Sequence, residues 1–386
     1  MNDLIHLYPL VSFNSIIKIW NNQPTYIIVQ LLFIIGALIT LIHAITYKGR
    51  RLSLWICITC HGLLIELISY FLPEIDNFWH SQSPIMLFGH RLPLHILLVY
   101  PVFYYLAIIT AYRKGIKKLS LMLTVGLNVL LLDIPFDMIG VKFIHWTWHD
   151  TDPNIFDRVY LVPCTSYFFY MTTSASFTYW FFNKEVTFDE ISFKKEIGIF
   201  MRTIMLSFPC GVICFSIFYH PLHDIFYIST QTIVIFLIAL YNIIVKIIKI
   251  VQNNDHKENN ENMNTITIYL VIYYTTFFIL SLIGKPENEI STGIHEEIGP
   301  CNITVNAFNT DLIKRKYLCI QDYNEEYDFH CIENAPAIFS KIYTICGKAF
   351  ENRMEYVIII STIAVVALIK FNNSFNINKI TKKKVL

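Results

Sequence analysis

The chain has 386 residues, of which 54% are hydrophobic and only 15% charged, and its formal charge is +1. Soluble domains carry about 25% charged residues. With a mean hydropathy of +0.48 and long uncharged stretches, the composition excludes an ordinary soluble enzyme and fits a polytopic membrane protein. The expected partners are membrane lipids, no nucleic-acid partner is expected, and the oligomeric state is left open.

The first residues, MNDLIHLYPLVSFNSIIKIW, lack a basic start and a small-residue cleavage site, so the first spanning helix is expected to act as the targeting signal. Segments 25–47, 53–72, 92–112, 119–141, 160–183, 197–219, 225–247, 265–284 and 354–371 each approach the ~20 apolar residues that cross the hydrocarbon core. Arg202 and Pro209 interrupt the sixth. The expected fold class is an all-α transmembrane bundle of about nine helices. It divides into an N-terminal segment 1–24, an eight-helix bundle 25–284, a cysteine-bearing loop 285–353, a final helix 354–371 and a basic tail 372–386.

Every second loop is basic: Lys48, Arg50 and Arg51; Arg113, Lys114, Lys117 and Lys118; Lys184, Lys194 and Lys195; Lys246, Lys249 and Lys257; Lys382, Lys383 and Lys384. Basic loops stay cytosolic, so the N-terminus is expected in the lumen and the C-terminus in the cytosol. The 285–353 segment then faces the lumen. It holds Cys301, Cys319, Cys331 and Cys346 and the glycosylation acceptor Asn302-Ile303-Thr304, both suited to an oxidising compartment. The spacing leaves all three pairings of the four cysteines open. The terminal Lys383-Lys384-Val385-Leu386 resembles a dilysine endoplasmic-reticulum retrieval signal, which receptors read.

Ionisable residues inside a membrane are costly and usually have a partner or a role. Here most fall in the lumenal half of the helices. Glu66 lies past the middle of segment 53–72, and Asp133 and Asp137 are one turn apart in segment 119–141 with Pro135 between them. The proline removes a backbone hydrogen bond and is expected to open carbonyls to a ligand or water. Two acids in one low-dielectric site repel, so one keeps a proton while the other stays ionised, an arrangement suited to acid–base work. Glu66, Asp133 and Asp137 are therefore the catalytic candidates. Arg91 and His95 are expected on one helical face at the mouth.

The chain leaves the fourth helix through Trp146-Thr147-Trp148-His149-Asp150-Thr151-Asp152-Pro153. His149, Asp150 and Asp152, with Arg91 and His95, are candidates for binding a polar head group or a divalent metal, because zinc takes imidazole nitrogen and carboxylate oxygen. The cofactor is otherwise unknown. The tryptophans alone fit an interfacial aromatic belt. Cys57-Ile58-Thr59-Cys60-His61 has the haem-attachment spacing but lies within a spanning helix, and the Thr172–Ser176 run reads as a helix-packing stripe.

The run Trp146–Asn154, with Asp157, Arg158, Val162 and Pro163, resembles the hallmark of an uncharacterised eukaryotic multi-pass membrane family. More distantly, Glu66, Trp146, Trp148 and Pro163 are similar to elements of the carotenoid-biosynthesis membrane family, which includes a carotenoid hydratase, although Asp133-Ile134-Pro135 departs from that family's spacing. This resemblance implies a lipid or isoprenoid substrate entering laterally. The expected function is an endoplasmic-reticulum intramembrane enzyme. A transporter or channel with a carboxylate relay, and a receptor or scaffold with a partner-binding lumenal loop, are the alternatives.

Overall fold

The structure, a computed structural model, describes residues 9–72, 75–112, 118–152, 157–182, 186–251, 263–306 and 313–372. The lysine-rich tail, most of the Asn/Glu-rich stretch after residue 251, the basic residues 113–117, Lys184, Pro153 and Asn154 lie outside these, so the expectations placed on them are not addressed structurally.

The described residues form α1 (Ile16–Asn22), α2 (Pro24–Thr46), α3 (Arg51–Phe71), α4 (Leu94–Tyr112), α5 (Lys118–Lys142), α6 (Cys164–Phe181), α7 (Phe193–His220), α8 (Thr230–Val251), α9 (Asn264–Ile283) and α10 (Arg353–Asn372). Eight of them, α2 to α5 and α7 to α10, are long and apolar enough to cross a membrane. The segment expected at 160–183 is the exception. Its first residues make a hairpin instead, and α6 carries Thr165, Ser166, Thr172, Thr173, Ser174, Ser176 and Thr178.

A polar helix can sit inside the bundle because its hydroxyls turn back on its own backbone. Thr173 donates to the Phe169 carbonyl at 2.7 Å, Ser174 to Tyr170 at 2.6 Å and Thr178 to Ser174 at 2.8 Å, leaving little uncompensated polarity. The small side chains also admit α7 closely. A Cβ on Gly211 would stand 2.8 Å from the Thr173 Cα, so the expected packing role of the Thr172–Ser176 run is what the fold shows.

Contacts define two ends. At one, Arg50 pairs with Glu196 at 2.7 Å and donates to the Phe181 carbonyl, joining the starts of α3 and α7 to the end of α6. At the other, strands and loops cap the bundle, so the all-α expectation needs amending. β1 (Val11–Phe13), β3 (Ile85–Leu87) and β4 (Leu92–Pro93) form one small antiparallel sheet, and β2 (Phe78–His80) pairs with β5 (Trp146–Trp148). β6 (Arg158–Val159) and β7 (Val162–Pro163) form a hairpin, and β9 (Thr304–Asn306) pairs antiparallel with β10 (Ile313–Arg315). β8 (Ile290–Ile294), β11 (Tyr327–Asp328) and β12 (Ile342–Gly347) make the sheet of the cysteine-bearing segment, with β12 central.

The disulfides join Cys301 to Cys319 and Cys331 to Cys346, resolving the pairing that spacing leaves open. This segment is knitted to the bundle rather than hanging from it. Gln82 N donates to the Thr292 carbonyl at 3.0 Å, Ser81 Oγ meets Ser291 Oγ, and Lys142 reaches Glu326 and the Ala349 carbonyl.

The exit from α5 is the hinge of this arrangement. His145 N bonds the Gly140 carbonyl at 2.8 Å and Ile144 N the Val141 carbonyl at 2.9 Å, the paired pattern of a Schellman stop. Its left-handed position is held by Ile144 (φ 51°), where glycine is usual and a β-branched residue is strained. The strain is offset by burial. Ile144 enters a small core with Ile298, Leu318, Tyr327, Tyr343 and Ile345, while the next residues become β5. Trp146, read from sequence as interfacial, is instead packed on Phe136 at 4.7 Å between ring centroids and is almost fully buried. Gly140 is required beneath it, since a Cβ there would lie 2.0 Å from the indole.

Candidate functional site

The carboxylates within the helices lie buried in the capped half of the bundle. Glu66 on α3 is buried, and each of its oxygens accepts from a tyrosine: Tyr70 OH at 2.8 Å and Tyr100 OH at 2.8 Å. Asp133 and Asp137 on α5 are also buried. Ser166 donates to Asp137 at 3.1 Å. Neither oxygen of Asp133 has a hydrogen-bond partner among the described residues. The Tyr170 ring on α6 lies 6.4 Å from that of Tyr100.

Pro135 does free the carbonyl of Leu131, four residues back, but that carbonyl is not left open. Tyr274 OH donates to the Leu131 carbonyl at 3.0 Å and Tyr273 OH to the Leu132 carbonyl at 2.5 Å. The expectation that these carbonyls await a ligand is corrected by α9, which fills the gap with two phenols.

Arg91 and His95 part company. Pro93 sits in the two-residue strand β4 and biases the residue before it away from helix. The helix therefore begins only at Leu94, and the two side chains do not share a helical face. Arg91 pairs with Asp76 and lies over the Tyr70 ring at 4.7 Å. His95 is buried edge-on to Tyr26 at 5.2 Å, and His145 bonds Thr25 at 3.0 Å.

Above this layer, the exit segment and the disulfide-bonded segment meet in a buried lattice of charge. His149 Nε2 stands 2.8 Å from Glu296 Oε1. Asp150 pairs with Arg315 at 2.8 Å, Asp152 with Lys314 at 3.1 Å and Arg158 with Glu325 at 3.0 Å. Thr151 N donates to His149 Nδ1 at 3.2 Å, which fixes the ring orientation.

Burial pushes the Asp150 carboxyl up to about 7, with the Glu296 charge adding to the effect and Arg315 opposing it. It pushes Glu296 and Glu325 up to about 8. It lowers His149 to about 4, helped by Lys314.

Of the residues singled out from sequence, His149 and Asp150 meet at one site and Asp152 turns to Lys314 beside them. Glu66, Asp133 and Asp137 share the tyrosine-lined interior, Arg91 borders it through Tyr70, and His95 belongs to neither group. Sequence reading missed Glu296, Lys314, Arg315 and Glu325, which lie more than 140 residues further on. It also missed Tyr70, Tyr100, Tyr170, Tyr273 and Tyr274. The surplus of charge in an otherwise apolar chain was a signal for the first set. The tyrosines carry none, because apolar helices are rich in them here.

Eight apolar helices, a polar helix among them and a disulfide-bonded cap define a multi-pass membrane protein. The chain belongs to the family described as a domain of unknown function, DUF7802, whose model matches residues 9–376. No curated protein and no solved structure matches the chain.

Proposed function

We propose that this protein is an intramembrane enzyme of the endoplasmic reticulum that performs acid–base chemistry on a lipid or isoprenoid substrate. The observation that carries the reading is Asp133, a fully buried carboxyl with two unpartnered oxygens one helical turn from Asp137. Holding such a group in a low-dielectric interior is costly, so a role in proton transfer explains its presence. In this reading Asp133 donates the proton, Asp137 stays ionised on Ser166, and Glu66 with Tyr100 and Tyr170 passes protons to the pair. The resemblance of Glu66, Trp146, Trp148 and Pro163 to the carotenoid-biosynthesis family supports an apolar substrate.

The test is a comparison of lipid extracts from cells expressing wild type, Asp133→Asn and Glu66→Gln in place of the native chain. The expected result is loss of the same product, with accumulation of its precursor, in both variants. Extracts indistinguishable from wild type reject the enzyme reading.

A second reading is favoured by one observation. His61, bonded to Ser207 at 2.9 Å, lies 5.8 Å from the Tyr104 ring, and the Tyr104 hydroxyl meets Thr173 at 3.1 Å. This polar line toward the other end suits a proton relay. Unchanged lipids together with proton uptake lost in Asp133→Asn vesicles would assign that role instead.

For orientation, we infer a lumenal cap and a cytosolic C-terminus, supported by the alternating basic loops, the two disulfides and the exposure of Asn302 in a turn beside Cys301. The expected result is a glycosidase-sensitive mass shift that disappears in Asn302→Gln. Its absence in wild type from a glycosylating host would argue for the opposite orientation.

A further inference from the structure

We propose that His149, Asp150 and Glu296 bind one divalent transition-metal ion of the zinc or manganese class, which staples the disulfide-bonded cap to the chain leaving α5. One ligand atom from each of the three residues lies within 4.8 Å of the others, and all three side chains are buried. Two of the oxygens are left over. Asp150 Oδ1 and Glu296 Oε1 have no hydrogen-bond partner among the described residues. The second is informative because His149 Nε2 is only 2.8 Å away, yet that oxygen accepts no hydrogen bond, so the ring N–H is not aimed at it. The convergence of three ligand atoms is the geometry a shared cation accounts for, and binding it at Nε2 moves the ring proton to Nδ1, which releases the Thr151 N–H.

The surrounding charge fits. Asp150, Asp152, Glu296 and Glu325 are four buried carboxylates, faced by the three cations Arg158, Lys314 and Arg315. A cation drawn into the cluster displaces carboxyl protons and is held by the carboxylates that result. The mixed nitrogen and oxygen donors select against calcium and magnesium, which prefer oxygen alone. The cluster joins residues 149–150 to residue 296, so the ion would cross-link the bundle exit to the cap. Asp152, expected from sequence as a ligand, is engaged by Lys314 and serves as a neighbour. The other grouping of donors, Asp328, His330 and Cys346, is ruled out because the Cys346 sulfur is in a disulfide. The proposal concerns a different layer from Asp133 and stands whether or not the enzyme reading holds.

The test uses full-length protein in detergent, stripped with a chelator and titrated with Zn²⁺ alone, with bound metal measured after gel filtration. The expected result is one ion per chain, with affinity at least ~10-fold weaker in His149→Ala and Glu296→Gln and unchanged in Glu325→Gln. Failure of the wild type to retain zinc, or equal retention in the two ligand variants, overturns the proposal. Should those variants misfold, Mn²⁺ bound to wild type decides: electron spin resonance showing coupling to one imidazole nitrogen supports the site, and no nitrogen coupling rejects it.

Discussion

Asp133→Leu is expected to raise the melting temperature of the purified protein. A buried polar group without a hydrogen-bond partner costs ~1–3 kcal/mol in mutational series. Asp133 is in that position, with no exposed surface and both oxygens unpartnered. Leucine fills similar space without the polar cost, so a net gain of ~1–2 kcal/mol is expected after a small packing penalty. The Asp133→Asn variant keeps an unpartnered polar group at the same place and should leave stability near wild type. A thermal melt of the three proteins in one detergent checks this. A leucine variant markedly less stable than wild type would show that Asp133 has a structural partner, and the argument for a retained, costly acid would fail. The contrast with Glu66 sharpens the point. Its oxygens both accept from tyrosines, so Glu66→Leu should lower stability, because it strands Tyr70 and Tyr100 in the interior.

The second large effect is expected from the double substitution Cys331→Ser with Cys346→Ser. The two positions are 15 residues apart in sequence, and closing a loop of that length is worth ~3 kcal/mol in the chain-entropy account. Cys346 lies in β12, bonded on one side to β8 and on the other to β11. The loss therefore falls on the central strand of the cap sheet. Since β8 reaches the bundle through Ser81, Gln82 and Gly293, the cap should detach before the helices melt. Limited proteolysis reads this as new cleavage within the 296–341 region while the helical signal in circular dichroism persists. Unchanged protease resistance would mean that the Lys142, Arg158 and Ser81 contacts hold the cap without the bridge.

Much of this fold is legible in the sequence because spanning a membrane leaves few choices. Apolar segments of the right length must be helices, as every backbone group has to be satisfied within the segment, and the eight apolar helices are where hydropathy places them. The interior carboxylates stand out for the same reason: they are rare and expensive there. The polar helix α6 is marked by its position, yet only its neighbours α5 and α7, with hydroxyls folded onto its own carbonyls, explain how it fits. Trp146 reads as an interfacial anchor because an indole at a helix exit looks alike in both settings. The deciding feature, Gly140 beneath its ring, is a packing fact.

What the sequence by itself determined is the class of protein, the approximate helix positions, the acids that burial makes costly and the cysteines that staple the cap. Only the tertiary structure decided which groups meet. Tyr273 and Tyr274 reach the carbonyls before Pro135 from α9, Tyr100 bonds Glu66 from α4, Ser166 bonds Asp137 from α6, and Glu296 and Arg315 arrive at His149 and Asp150 from the cap. The physical reason is range. Hydropathy and helix periodicity act between residues a few positions apart and can be read along the chain. Hydrogen bonds and ion pairs act over about 3 Å in space, between segments whose separation in sequence carries no trace of their meeting.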